Sequence, residues 1–475
     1  MVILNLKSTT IIYYQKSLIQ RVSLVIMLMA LWIPIHAQDE GDDVISDESE
    51  EVDEQTTDNA RVLINRYQMG NGLRLVDMKG NHLTLSALVQ ASAQTNHYEG
   101  ISGNYNRFRI RRARVRLDGT SLHARLRYRL GLDMVKGSET DADGAGSMLQ
   151  DAWIAYRPWG DNRLQFSFGQ RATPTDNIEL SISSHALAFA ERSKITSMFS
   201  TIREVGFFVE SSHHVGHTKG VMRPSLAITD GDGPISGGKR YGGLKYGGRI
   251  NYLPFGTFRN YGQSREGDMA YEFTPKLCLG VAYSYNMGTS DRRGGRSSGD
   301  ILYLDAKDRY RLPDMSKLVA DIQFKYQGWS LLAEFAKTWA SVSDDITQRV
   351  RNAGTATDDF DVDGVQDVNA YIRNRMMLGW GFNVQAGYMF RSLWSIDARY
   401  THIKADKYSY MNNDLYFNRP DFADLSLTHY LTHSYASKIQ LTIGWTHTNG
   451  QCRTPDSKYH EGSEWNAIMM YQLKF

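Results

Sequence analysis

Between Leu122 and Met134 the chain places an apolar residue at every second position: Leu122, Ala124, Leu126, Tyr128, Leu130, Leu132 and Met134. His123, Arg125, Arg127, Arg129, Gly131 and Asp133 fill the places between. A period of two is that of a β-strand, so one face is apolar and the other carries charge. A soluble sandwich alternates too, but it has no need of long apolar faces backed by charge in strand after strand. A barrel with lipid outside and water inside does. The pattern recurs in sixteen segments, near 82–93, 107–118, 122–134, 148–157, 163–170, 204–212, 219–229, 241–252, 275–288, 316–327, 329–340, 379–390, 393–404, 422–431, 436–446 and 464–475. The expected fold is therefore all-β, a 16-stranded antiparallel transmembrane β-barrel.

The connections sort into two kinds. The odd-numbered gaps, 94–106, 135–147, 171–203, 230–240, 289–315, 341–378, 405–421 and 447–463, are long. The even-numbered gaps are tight, as at 119–121, 158–162, 327–328 and 391–392, with 253–274 the one long exception. Long loops at one end and short turns at the other is the asymmetry of outer-membrane barrels, whose termini lie in the periplasm. The last strand alternates Trp465, Ala467, Met469, Tyr471, Leu473 and Phe475 on one face, ending on an aromatic residue. Mean hydropathy of −0.43 would suggest a soluble protein, but it averages the two faces of every strand.

Lys7, Lys16 and Arg21 precede an apolar run over 22–35, and Ala37-Gln38 offers a small-residue cleavage point. A run of fourteen residues is too short to span a bilayer, which takes roughly 20, so 1–37 reads as a signal peptide. Residues 39–58 hold eleven Asp or Glu and no Lys or Arg. Such a block repels itself, so 38–60 reads as an acidic disordered tail. Residues 61–81 are then a periplasmic N-terminal segment and 82–475 the barrel. Without the leader and the acidic tract, 51 basic residues face 41 acidic ones, so a nearly neutral composition hides a basic body. Cys278 in a strand pattern and Cys452 in a polar loop are not expected to bridge.

Positive charge concentrates early. Residues 107–129 hold nine arginines and one acid, Asp118. With Ala113, Val115 and Leu117 facing out, Arg112, Arg114 and Arg116 face the lumen, as do Arg125, Arg127 and Arg129 in the next strand. A two-residue turn at Gly119-Thr120 would set Arg116 against His123, Arg114 against Arg125 and Arg112 against Arg127. Like charges directly opposite on a sheet repel, and persist where water, carboxylates or a passing anion screens them. Phe108 and Ile110 fall out of register with Ala113, which a bulge near Arg111-Arg112 would explain. The loop 171–203 carries mildly apolar stretches at 178–182 and 186–190. A loop that long is usually functional, and we expect it to fold into the lumen, narrow it, and present Arg171, Arg192, Lys194 and Arg203.

The run FRIRRARVRLDG over 108–119 resembles the early strand of the phosphate-selective porin O and P family. LQDAWIAYRP over 149–158 and FGQRATP over 168–174 resemble it too, as do AERS at 190–193 and REVG at 203–206. The resemblance implies a sixteen-stranded, usually trimeric porin of the outer membrane with an arginine ladder and a folded-in third loop. Its partners would be outer-membrane lipid, small anions such as phosphate, and two further copies in a homotrimer.

Other functions find less support. Gly233 to Lys239 has P-loop spacing, but Arg240 stands where a Mg²⁺-binding Ser or Thr belongs. Asp359, Asp361, Asp363 and Asp367 follow a calcium-loop spacing, yet Ala370 occupies the position of the bidentate carboxylate, leaving a weak calcium candidate. No catalytic signature, cofactor motif or nucleic-acid module is apparent, so no enzyme activity, cofactor or nucleic-acid partner is expected. The alternatives are a plugged barrel with a structural or secretion-linked role, and a general diffusion porin without anion preference.

Overall fold

The computed structural model describes residues 64–76, 81–135, 148–231, 233, 242–289, 302–351, 354–413 and 418–475. The leader, the acidic tract and all but the first residue of the P-loop-like motif lie outside them.

Sixteen antiparallel strands close on themselves. They are β1 (His82–Tyr98), β2 (Tyr105–Ser121), β3 (Leu126–Asp133), β4 (Leu149–Tyr156), β5 (Leu164–Arg171), β6 (Glu204–Ser211), β7 (Val221–Thr229) and β8 (Lys245–Leu253). Then follow β9 (Lys276–Asn286), β10 (Asp314–Tyr326), β11 (Trp329–Ser341), β12 (Gly379–Met389), β13 (Trp394–Ala405), β14 (Asp421–Tyr430), β15 (Ser437–His447) and β16 (Ser463–Lys474). Each pairs with the next, and β16 pairs back onto β1 from Lys474↔Leu88 to Glu464↔Tyr98, which leaves no open edge. The strand pattern read from alternation is thus the strand order of the barrel. A hairpin of Ile64–Gln68 and Gly72–Val76 continues the wall beyond the end of β16 by pairing with His82 to Leu85 of β1. No helix among the described residues is long and apolar enough to cross a membrane.

Alternation sorts the faces as expected. Leu130 is 46% exposed on the outside, with Leu132, Ile154, Ile443, Met469 and Phe475 also on that face, while Arg127, Gln440, Thr442 and Gln472 are buried within. The first tight turn lies elsewhere than expected. Ser121 pairs with Leu126, so the chain reverses over 122–125 rather than at Gly119-Thr120. Leu122, His123 and Ala124 all adopt the left-handed conformation, which non-glycine residues rarely do. Gly119 stays within β2 because Tyr128 covers it: a Cβ there would sit 2.2 Å from the ring. The register moves by eight residues, an even number, so each side chain keeps its face and only its partner changes. The expected bulge is present, since Gln90 pairs with Arg112 and Ala91 with Ile110, which skips Arg111.

Two connections enter the barrel. The third long loop, 172–203, touches the inner faces of strands all round the sheet, so it must lie inside. Lys317 of β10 donates to Phe199 O (2.9 Å), Glu334 of β11 accepts from Glu179 N (3.1 Å), and Arg399 of β13 donates to Glu191 O (3.1 Å). Lys438 and Gln440 of β15 donate to Leu187 O and Ala188 O (both 2.5 Å), and Gln472 of β16 donates to His185 O (3.1 Å). Within the loop a short helix, Lys194–Phe199, buries Ile195, Met198 and Phe199 against inward Ala282, Val319, Ala336, Ile403 and Phe422. Loop 254–275, the long exception at the short-turn end, comes in from the opposite direction. Lys325 of β10 holds it through Gly262 O (2.7 Å) and Gly267 O (2.6 Å). It meets the third loop where Glu266 N donates to Ala186 O (3.2 Å) and Ala188 N donates to Glu266 Oε2 (2.5 Å).

Candidate functional site

The two inward loops fill the side of the lumen bounded by β9 to β15. Along β1 to β8 lies an opening of about 530 Å³. Its lining holds eleven arginines and one lysine against three aspartates and one glutamate. Of that surplus of eight positive charges, two are met by Asp133 and Asp321, which pair with Arg114 and Arg249 from just outside the lining.

The wall is built from paired charges. Arg114 stands opposite Asp133 across β2 and β3 and donates from Nε to Oδ2 at 2.8 Å. Asp118 stands opposite Arg129 and accepts from it, and also takes Arg116 Nε at 2.5 Å. Thr120, not another arginine, faces Arg127. The expected opposition of like charges is therefore absent, and each strand supplies acids where its neighbour supplies arginine. On β4 to β6, Arg203 pairs with Asp151 (2.9 Å) and Arg171 with Glu210 (2.5 Å). The Trp153 ring lies between the guanidinium groups of Arg129 (5.3 Å) and Arg171 (5.4 Å), which orients both. At the far side Arg249 of β8 grips Asp321 with both amino groups (2.8 and 2.5 Å) and donates to Asp176 O (2.6 Å), fixing the start of the third loop. Burial would raise the Asp176 carboxyl, but Lys317 and Lys245 beside it hold it below the usual carboxylate range.

The residues proposed from sequence separate into groups. Arg114, Arg116, Arg127, Arg129, Arg171 and Arg203 line the opening together. Arg125 departs from expectation: it belongs to the turn, is exposed, and shares no strand face with the others. Arg112 faces inward but is 1% exposed, tied to Gln90 Oε1 (2.7 Å) and Glu191 (3.8 Å). Arg192 also borders the opening, while its guanidinium turns back on its own loop, donating to Glu179 O (2.6 Å) and Ile182 O (2.9 Å) and holding the loop's shape. Lys194 stands exposed over the Phe422 ring and does not line the opening. Sequence reasoning missed Arg223 and Arg249, whose inward faces were readable from the alternation of β7 and β8. It also missed Arg74, Arg265 and Lys474, which a hairpin, an inward loop and a chain end bring to the lining. Nothing local in the sequence marks those three.

The acidic loop does not assemble a calcium site. Asp359 pairs with Arg349 (2.7 Å) and Asp367 caps the helix Val368–Arg373 through Ala370 N (2.9 Å). No group of three or more potential metal ligands occurs among the described residues.

Residues 84–302 match the family described as phosphate-selective porin O and P. No curated protein matches the chain. Among solved structures the chain is similar to OprB of Pseudomonas putida, at 11% identity over 84% of this chain and 94% of that one, with a TM-score of 0.49. It is also similar to the outer membrane channel DcaP of Acinetobacter baumannii, at 12% identity over 84% and 99%, with a TM-score of 0.47. A third is OmpF of Salmonella typhi in complex with daunomycin, at 12% identity over 83% and 98%, with a TM-score of 0.46.

Proposed function

Because residues 84–302 carry the pattern of the phosphate-selective porin O and P family, we propose that this barrel is an outer-membrane porin through which small anions, phosphate among them, diffuse passively. The observation that carries the reading is the lining, twelve basic side chains against four acidic ones, gathered on one side of a lumen whose other side is filled. Ion pairs neutralise only part of that wall, since one carboxylate, Asp118, serves two arginines. Fixed positive charge in a narrow passage concentrates counter-ions and hastens their entry. Salt weakens the effect over a Debye length of ~10 Å at 0.1 M.

In this reading lipid meets the outer faces, three copies associate, and both termini face the periplasm of a Gram-negative cell. A passive channel with this lining needs no catalysis. Added phosphate should compete with chloride for the wall and lower the chloride current of a reconstituted channel. A chloride current indifferent to millimolar phosphate would remove phosphate from the reading.

The packed half of the lumen favours one alternative, a plugged barrel with a structural role. That alternative requires the purified protein to conduct no current at all.

A further inference from the structure

We infer that Cys452 and His460, in the long loop between β15 and β16, form a two-coordinate site for a soft metal cation of the copper(I) or silver(I) class. They pair directly across a two-stranded hairpin, Cys452–Arg453 with Tyr459–His460. Side chains directly opposite on such a pair share a face, with Cβ atoms roughly 4.5–5.5 Å apart. That face is the inner one, since Cys452 is 0% and His460 6% exposed, whereas Tyr459 points to solvent.

His460 is held as a metal-ligating histidine is held. Its Nε2 donates to Glu464 Oε1 at 2.7 Å, and Arg419 fixes that carboxylate from two sides, NH2 to Oε1 at 2.6 Å and Nε to Oε2 at 2.8 Å. A carboxylate on one ring nitrogen sets the tautomer and turns the other nitrogen's lone pair to a ligand. The other nitrogen, Nδ1, is buried and has no hydrogen-bond partner. The Tyr98 ring, edge-on at 5.0 Å, blocks the imidazole from tilting away.

Cys452 forms no disulfide, and its Sγ donates to Asn418 O at 3.7 Å. Thiolate and imidazole on a dry face suit a soft cation that accepts two ligands, while zinc asks for four. On binding, the thiol loses its proton to solvent and its sulfur takes the metal, so one proton leaves for each cation bound. Cys278 lies in β9, far along the chain, with no histidine opposite it; its cross-strand partner on β10 is Gln323.

The test is silver(I) binding to the folded full-length protein in detergent, followed by calorimetry and proton release. The expected result is one silver ion and one proton per chain, unchanged in Cys278→Ala and lost in Cys452→Ala. Glu464→Gln should keep the thiol yet weaken binding about tenfold or more, as outer-shell carboxylates do. His460→Gln, which leaves the thiol in place and serves if Cys452→Ala misfolds, should weaken it at least as far. Stoichiometric binding that persists in Cys452→Ala, or equal affinity in wild type and His460→Gln, overturns the site, as does a wild-type protein that binds no silver.

Discussion

Arg114 and Asp133 face each other across β2 and β3, with Nε 2.8 Å from Oδ2. Two strands that concentrate arginine are thereby paired through their few acids, and the wall tolerates a charge density that like-against-like pairing would not allow. Asp118 is the most economical of these acids, serving Arg116 and Arg129 together. Asp118→Asn should leave the two guanidinium groups less compensated at the opening, with Asp151 still an acidic neighbour of both. The expected outcome is a chloride-to-potassium permeability ratio raised about twofold at low salt, with a stability cost of about 1–3 kcal/mol for the lost charged partner. Bilayer reversal potentials of the variant read the first, and an unchanged ratio would show that ions do not pass this pair.

The outer face makes the opposite demand. Leu130→Arg places a charge against lipid at a position 46% exposed, and should destabilise the barrel by about 2–4 kcal/mol near the bilayer midplane. Arg129→Gln, one residue away on the wetted face, should cost far less. Denaturant unfolding in lipid vesicles separates the two, and equal losses would mean the faces are misassigned.

Removing the third loop should open the filled side. Its helix buries Phe199, 0% exposed, against the barrel's inner wall, so deleting residues 177–200 clears much of that half of the lumen and leaves only loop 254–275 in it. Single-channel conductance should rise severalfold. A deletion channel with wild-type conductance would locate the constriction elsewhere.

The contact between the two inward loops should depend on pH. Burial first, then the neighbouring charge of Glu179, push the Glu266 carboxyl from its ordinary 4.5 up to about 7. An acid whose pKa is raised by folding contributes fully below its ordinary value, and that contribution fades as pH rises through the raised one. The packing of the two loops around Glu266 should therefore be most stable at pH 4.5 and weaken by pH 8, because burial and the charge of Glu179 oppose ionisation more than the Ala188 N–H bond favours it, seen as growing current noise and a falling unfolding temperature. Glu266→Gln should flatten both profiles. Equal pH dependence in the variant would show that another group governs them.

The outline of the barrel was legible because alternation is a property of each strand alone: Leu126, Tyr128, Leu130 and Leu132 share the outer face whatever they pair with. Pairing was less legible. Gly119-Thr120 has the look of a hairpin turn, but the ring of Tyr128, distant in the predicted register, claims the space over Gly119 and carries the turn on to 122–125. Arg125 was misplaced for that reason. Arg192 and Lys194 show a second limit, since a loop's charge says nothing of whether it meets solvent or its own backbone carbonyls. Arg265 shows a third, because a polar loop at the short-turn end carries no pattern that marks it as inward.

The central claim is that the arginine wall makes this pore prefer anions. The most direct measurement is the zero-current potential of the purified wild-type channel in a planar bilayer, with a tenfold gradient of potassium chloride at low ionic strength. The account predicts the sign set by chloride permeating faster than potassium, with the preference shrinking as salt rises in both chambers and reversing or falling in Arg114→Glu/Arg116→Glu. A wild-type potential of the opposite sign, potassium ahead of chloride, would contradict it.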